Sequence, residues 1–351
     1  MNRYRNPLHC ILPPYMLKNM YANGSGHVQQ AAATSAVASA QLRGRRQALS
    51  EASIRIAPAA VMGKQRRVFT AKNGTSLPGS LVRDEGGPAV ADAGVNEAYD
   101  GAGATYDLYW EIYQRNSLDG NGLRLDSTVH YDQSYDNAFW DGNQMVYGDG
   151  DGQLFNRFTI SIDVIGHELT HGVTQYTSNL NYSNQPGALN ESFSDIFGSL
   201  VKQRTRGQAA ADADWLIGQG LFTANVKGVA LRSMKDPGTA YDDPVLGKDP
   251  QPGNMRDYVN TSEDNGGVHI NSGIPNHAFF LAATSIGGYA WEKAGQIWYD
   301  TVCDPRLKAS ANFSSFANLT IQNAARRYGH SSTEQKAVTD AWHKVGVKVT
   351  A

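Results

Sequence analysis

Two histidines four residues apart inside an apolar run, His167-Glu168-Leu169-Thr170-His171, constrain this chain more than any other stretch. Residues at that spacing leave an α-helix on one face, one turn apart. Two imidazoles so placed can hold one Zn2+ at about 2.0–2.1 Å each. Glu168 lies one step round the helix. It cannot easily share the metal, but it can reach a water that the metal activates. Such a chain has to fold around a metal-bearing helix, supply a third ligand and leave one coordination position open.

The next helical stretch supplies the third ligand. It reads Gly187-Ala188-Leu189-Asn190-Glu191-Ser192-Phe193-Ser194-Asp195, and nineteen residues separate His171 from Glu191. That interval suits a helix end, a loop and a return on a second helix packed against the first. Glu191 is the predicted ligand. Asp195, four residues on, shares its face and is placed to accept the remaining N–H of a ligand histidine, which fixes the tautomer. The five-residue motif also occurs without a metal. The downstream segment carries the argument, because two histidines and three carboxylates in purely structural roles would be costly to bury unpaired.

The rest of the chain fits a large globular protein. It has 351 residues, 41% hydrophobic and 18% charged, with a net charge of −2. That balance gives no argument for nucleic acid or an acidic membrane as partner. Two cysteines, Cys10 and Cys303, do not make a disulfide framework. No apolar stretch approaches the roughly 20 residues of a membrane span. The N-terminal apolar run is broken by Pro13 and Pro14, so it reads poorly as a secretory signal. The expected location is cytoplasmic, or outside the cell by a signal-independent route.

Organisation changes along the sequence. Residues 1–60 hold an apolar knot from Cys10 to Leu17 and an Ala/Ser/Gln/Arg stretch whose residues 27–50 could be helical. This leader reads as a short propeptide, with Gly44-Arg45-Arg46 and Arg66-Arg67 as basic sites for a trypsin-like cut. Residues 61–160 are rich in Gly, Asp, Asn, Tyr and Thr, and read as a β-rich lobe with strands near 67–71 and 127–131. Two exceptions look helical: 102–113 and the segment beginning near Ile160. The run Tyr147 to Gly152 looks like a calcium loop but lacks its spacing, so a glycine-rich turn is expected. Residues 161–351 show helical periodicity over 162–176, 190–204, 274–284, 290–301, 314–328 and 332–345, with Ser332 as an N-cap.

Five segments appear in an order that resembles the thermolysin family of metallopeptidases, and most its protealysin-like branch with short propeptides. They are Asn137-Ala138-Phe139-Trp140, the His167–His171 motif, Glu191–Asp195, Leu231-Arg232-Ser233-Met234, and Asp264-Asn265-Gly266-Gly267-Val268-His269-Ile270-Asn271-Ser272-Gly273. The resemblance covers Arg67 to the C-terminus. It implies an α+β, two-lobed fold: a β-rich N-terminal lobe, a mainly helical C-terminal lobe and the zinc helix between them. It also implies roles. Tyr182 and His269 would stabilise the oxyanion, with Asp264 orienting His269. Arg232 would bind a substrate carbonyl, and Asn137 and Ala138 the substrate main chain. Phe155, Phe158, Val164 and Leu231 match an apolar pocket, which implies cleavage on the amino side of a bulky hydrophobic residue.

The sequence also departs from the family. Asp163 and Asp214 match two ligands of the family's double calcium site, but Lys202, Leu216 and Gln219 stand where other ligands would be. Lysine for an acidic ligand disfavours a second cation. The expectation is one zinc per chain, no double calcium site and a single calcium at most. Lys202 would supply the positive charge. The leader carries Pro13-Pro14-Tyr15 and is expected to pack across the cleft as an intramolecular inhibitor. Its Cys10 raises a further possibility, ligation of the zinc by thiolate.

The function expected is therefore a zinc-dependent endopeptidase precursor acting on protein or peptide substrates, with Glu168 as general base. An aminopeptidase would need an acidic group to grip a free α-amine, and no motif supplies it. A non-catalytic scaffold would require loss of Glu168, Tyr182 or His269, and all three are present.

Overall fold

A computed structural model describes residues 9–52 and 62–350, with side chains described from Cys10 to Leu42 and from Met62 onward. The leader forms strand β1 (His9–Cys10), helix α1 (Pro14–Asn23) and helix α2 (His27–Ala52). The backbone at Gly44-Arg45-Arg46 is therefore inside a helix, and the side chains of that proposed basic site lie outside the described residues.

A six-stranded mixed sheet occupies the first half. Its strands are β1, β2 (Arg66–Thr70), β3 (Ser80–Asp84), β4 (Leu125–Val129), β5 (Ala138–Trp140) and β6 (Met145–Tyr147), in the order β1-β5-β6-β4-β2-β3. The β5–β6 hairpin closes because Asp141 Oδ1 accepts the N–H groups of Asn143 and Gln144, at 2.8 and 2.9 Å. The leader strand β1 pairs antiparallel with β5, His9 opposite Trp140 and Cys10 opposite Phe139. Arg66-Arg67 is no loose cleavage site. Both residues lie in β2, with Arg66 paired to Glu85 at 2.6 Å and Arg67 to Asp126 at 2.9 Å.

Helix α3 runs over Ala93–Asp107, nine residues earlier than the periodicity suggested, and continues as a π-helical turn over Leu108–Ile112. Its start is set by Asp92, whose side chain accepts from the N–H groups of Gly94 and Val95. Of the turn expected over 147–152, Tyr147 ends β6 and the rest is irregular, with positive φ at Gly150 and Gly152; the chain turns just beyond, where Asp151 Oδ1 accepts three successive backbone N–H groups, from Gln153, Leu154 and Phe155.

Helices α4 (Ile162–Tyr176) and α5 (Asn184–Arg206) position the site. They cross at a glycine pair. A Cβ on Gly166 would lie 3.0 Å from the Gly198 Cα, and one on Gly198 would lie 2.3 Å from the Asp163 carbonyl oxygen. Only glycines let the two backbones approach so closely. The remaining helices are α6 (Asp264–Asn271), α7 (Gly273–Ile286), α8 (Ala294–Val302), α9 (Phe313–Tyr328) and α10 (Thr333–Lys344). Ser332 caps α10, accepting from the Gln335 N–H. Among the described residues, no helix is long and apolar enough to cross a membrane.

Candidate metal and peptide-binding site

The close crossing of α4 and α5 brings His167, His171 and Glu191 together, and their ligand atoms all lie within 4.8 Å of one another. The two Nε2 atoms are 3.0 Å apart, and Glu191 lies 3.4 and 3.5 Å from them. Ligands at tetrahedral Zn–N distances would be separated by about 3.3 Å. All three side chains are at most 1% exposed. Glu191 Oε2 is buried without a hydrogen-bond partner. A carboxylate with an orphaned oxygen, one of its oxygens near each ligand imidazole nitrogen, fits a borderline cation that accepts N and O ligands.

Burial works against charge on His167, but Asp195 and Glu191 outweigh it and raise its pKa to about 9. Burial drives His171 down to about 3, with Glu191 pulling the other way and His167 adding to the fall.

Each ring is fixed from behind. His167 Nδ1–H donates to Asp195 Oδ1 at 2.8 Å, the contact expected from the spacing. His171 Nδ1–H donates to Asn190 Oδ1 at 2.9 Å and lies 3.1 Å from Ser194 Oγ. Asp195 is in turn gripped by Arg232, through Nε at 2.9 Å and Nη2 at 2.8 Å, and by Asn276 at 2.9 Å. Burial opposes ionisation of Asp195, yet Arg232 and His167 hold its pKa down to about 2. Asn190, Ser194 and Asn276 carry no role in the sequence reading. Asn190 precedes the predicted ligand and was open to notice, whereas Asn276 lies 81 residues from its partner.

Glu168 is fully buried beside this group. Its Oε2 accepts the Trp140 N–H at 3.1 Å, and its Oε1 has no hydrogen-bond partner. Burial pushes its pKa up to about 8.

A second cluster faces the first. Asp264 through Gly267 all have positive φ, so the chain folds back on itself before His269. A Cβ on Gly266 would lie 2.4 Å from Asn184 Oδ1, which is why glycine stands there. The turn lets Asp264 grip His269 twice, at the backbone N–H (2.8 Å) and at Nδ1 (2.6 Å). Burial opposes charge on His269, but Asp264 and Glu191 raise its pKa to about 9. Its Nε2 lies 3.3 Å from the Tyr182 hydroxyl, which donates to Glu191 Oε1.

The leader crosses this group. Cys10 O accepts from His269 Nε2 at 3.1 Å. The Ile11 N–H donates to Ala138 O at 3.1 Å, and Ile11 O accepts from Arg232 Nη1 at 3.2 Å. The Leu12 N–H donates to Asn137 Oδ1 at 3.0 Å, with Asn137 Nδ2 to Leu12 O at 3.5 Å. Cys10 therefore meets the site with its carbonyl. Its side chain packs with Tyr131, Tyr135, Phe139 and Val146, and Cys10 is not among the grouped metal ligands, which overturns the thiolate idea. Phe155, Phe158, Val164 and Leu231 are buried in the same core cluster as Ile11 and Leu12.

At the start of α4, the Lys202 ammonium lies between Asp163 at 2.9 Å and Asp214 at 2.8 Å.

Comparison with known proteins matches residues 24–175 to the catalytic domain of thermolysin metallopeptidases and residues 178–347 to their α-helical domain. The chain is 52% identical, over 98% of its length and 97% of the other's, to an extracellular metalloprotease of Pectobacterium carotovorum subsp. carotovorum. It is 43% identical to thermolysin of Alicyclobacillus acidocaldarius subsp. acidocaldarius, over 80% of this chain and 50% of that one. Among solved structures, the precursor of protealysin, a metalloproteinase from Serratia proteamaculans, superposes with a TM-score of 0.89 at 51% identity, covering 97% of this chain and 100% of that one.

Proposed function

The chain belongs to the thermolysin family of metallopeptidases and is a metalloendopeptidase, and from that premise we propose that it is a zymogen whose leader occupies the cleft that peptide substrates will use. His167, His171 and Glu191 would hold one zinc. Bound there, zinc supplies a Lewis acid that polarises a carbonyl and acidifies water.

The chain's own residues do the rest. Glu168 takes a proton from the attacking water and returns it to the leaving amine. His269, positively charged and oriented by Asp264, donates to the oxyanion, and Tyr182 turns its hydroxyl to the same oxygen. Arg232 holds the next carbonyl along the substrate, while Asn137 and Ala138 pair with its main chain. Asp195 keeps the His167 ring and the Arg232 fork in place together.

The observation that carries this reading is the leader itself. One short stretch, Cys10 to Leu12, engages His269, Ala138, Arg232 and Asn137 in sequence. These are the groups assigned to a substrate. Ile11, the residue after the carbonyl at His269, is apolar and 0% exposed. That supports cleavage before bulky apolar residues.

Lys202 between Asp163 and Asp214 supports the replacement of a calcium by an ammonium, with no double calcium site. We divide the chain into a leader to about residue 60, a β-rich lobe over 61–160 and a helical lobe over 161–351, although the family descriptions divide between 175 and 178. The name of the Pectobacterium relative supports action outside the cell.

The test uses internally quenched peptides with Phe, Leu or Asp after the scissile bond, with free and blocked N-termini. Cleavage before Phe and Leu in both forms, abolished by a chelator and restored by Zn2+, is expected. Cleavage of only the free form would instead make this an aminopeptidase.

A further inference from the structure

We propose that the leader is the enzyme's first substrate: the Cys10–Ile11 peptide bond is held in the cutting register and is hydrolysed within the same molecule before the rest of the leader is removed. This deepens the reading above and rests on it.

A plug that merely covers the metal ligands has no reason to choose a direction or a register. This leader has both. The carbonyl of Cys10 faces His269 Nε2 at 3.1 Å, and that nitrogen is 3.5 Å from Glu191 Oε2 in the metal group. The next nitrogen along the chain, that of Ile11, is fixed by Ala138 O at 3.1 Å. The next carbonyl, that of Ile11, is fixed by Arg232 at 3.2 Å, and the next nitrogen, that of Leu12, by Asn137 at 3.0 Å. A slip of one residue exchanges the faces of successive residues and would move each of these contacts off its partner. A reversed strand would present nitrogens and carbonyls in the opposite order. The one bond between the carbonyl at His269 and the nitrogen at Ala138 is Cys10–Ile11.

The chemistry is hydrolysis and balances without a further reactant. The water oxygen bonds to the Cys10 carbonyl carbon, and the bond to the Ile11 nitrogen breaks. Glu168 carries one water proton to that nitrogen, and the second ends on the new amine as the acid ionises. The products are a carboxylate at Cys10 and an ammonium at Ile11.

Only residues 1–10 are released by this cut. Helix α1 stays attached through Lys18 to Glu263 (2.9 Å), Asn19 to the Leu246 carbonyl (2.8 Å) and the buried Met16, Leu17 and Met20. Ile11 and Leu12 therefore remain in the cleft as a tethered product. The nicked form is still inhibited until the chain is cut again beyond α2.

The experiment begins with full-length precursor prepared in chelator. Zn2+ is added, and intact mass and N-terminal sequence are followed with time. The expected first new terminus is Ile11-Leu12-Pro13, formed with a rate constant unchanged over about a hundredfold dilution, since bond and machinery share one molecule. Ile11→Leu should keep that cut, and Ile11→Asp should slow it about tenfold or more, because a carboxylate would have to be buried. A readout without catalysis comes from metal-free Glu168→Gln precursor: hydrogen exchange at the Ile11 and Leu12 amides should be slow, and faster when Ile11→Asp is added. A first terminus elsewhere, a rate that falls with dilution, or unprotected amides would each overturn the proposal. Precursor activated by limited trypsin separates the two claims. If it cleaves an added peptide while the untreated precursor keeps Cys10–Ile11 intact with Zn2+, this inference fails and the peptidase reading stands. If it cleaves no peptide, both fall.

Discussion

At the floor of the cleft, the contacts that fix His167 and His171 are made by side chains: Asp195, Asn190, Ser194 and Glu191. Along β5, the leader is held largely through main chain: Ile11 by the Ala138 carbonyl, and its own carbonyls by His269 and Arg232. The floor reads residue identity and the edge reads an extended backbone. On the reading proposed above, main-chain recognition would let one edge accept a leader and then unrelated peptides, since every residue offers the same N–H and C=O. The floor has no such freedom. Its ion-paired groups are fully buried and tied to one another, so one removal strands its partner.

The largest effect should come from the floor. Glu168→Gln is expected to lower kcat/KM on a peptide by about 10²- to 10⁴-fold while zinc content, read by atomic absorption, stays at one per chain. His171→Ala should lose the metal as well as the activity. A Glu168→Gln enzyme with ordinary activity would remove its role as base.

Asp195→Ala comes next and tests whether the floor is as unforgiving as its burial implies. It leaves the Arg232 guanidinium, 2% exposed, without its carboxylate. Unfolding in urea should show a loss of about 3–5 kcal/mol, and zinc affinity should fall about 10- to 100-fold as His167 loses its partner. The edge offers the contrast. Leu12→Ala deletes a side chain that is 1% exposed in the precursor. It should cost about 2–4 kcal/mol there and leave zinc affinity unchanged. A fall in zinc affinity as large as that of Asp195→Ala would erase the distinction between floor and edge.

A third effect concerns the cation at the start of α4. Lys202→Met strands Asp163, which is fully buried, and should cost about 3 kcal/mol. Lys202→Glu should be less stable still without calcium and should gain Tm when Ca2+ is added, whereas the parent protein should not respond. A parent Tm that rises with Ca2+ would show that the ammonium does not stand in for the ion.

These contrasts also explain what could be read in advance. Helices α4 and α5 were legible because apolar spacing and the metal motif coincide on them. Their crossing depends on Gly166 and Gly198, which carry no hydrophobic signal. Helix α3 began earlier than its pattern for a similar reason. Gly101 and Gly103 dilute its periodicity, yet a Cβ at Gly101 would lie 2.5 Å from Ile165 Cδ1, so glycine is required by packing. Arg66-Arg67 resembled a protease site because its partners, Glu85 and Asp126, are 19 and 59 residues away. The thiol of Cys10 drew attention, whereas its carbonyl does the binding. Side-chain type is visible in a sequence, and backbone presentation is not.

The smallest effect lies outside the cleft, at a half-buried polar triad that marks how much of the floor's sensitivity is due to burial. His130 bridges Asp92 and Asp149, at 2.8 Å to each. The hydrogen bond to Asp149 raises its pKa from 6.5 to about 9, against burial and with help from Asp92. A histidine whose pKa is higher folded than unfolded stabilises the protein fully below the unfolded value and loses that contribution as pH rises through the folded one. Stability from this triad should therefore be complete below about pH 6.5 and fade by about pH 9. Solvent reaches Asp92 and Asp149, so the contribution is discounted to about 1 kcal/mol. His130→Asn removes the titration and should flatten the fall in Tm between those two pH values. If Tm declines with the same slope in both proteins, the triad contributes nothing through its charge, and burial alone does not account for the contrast with Asp195.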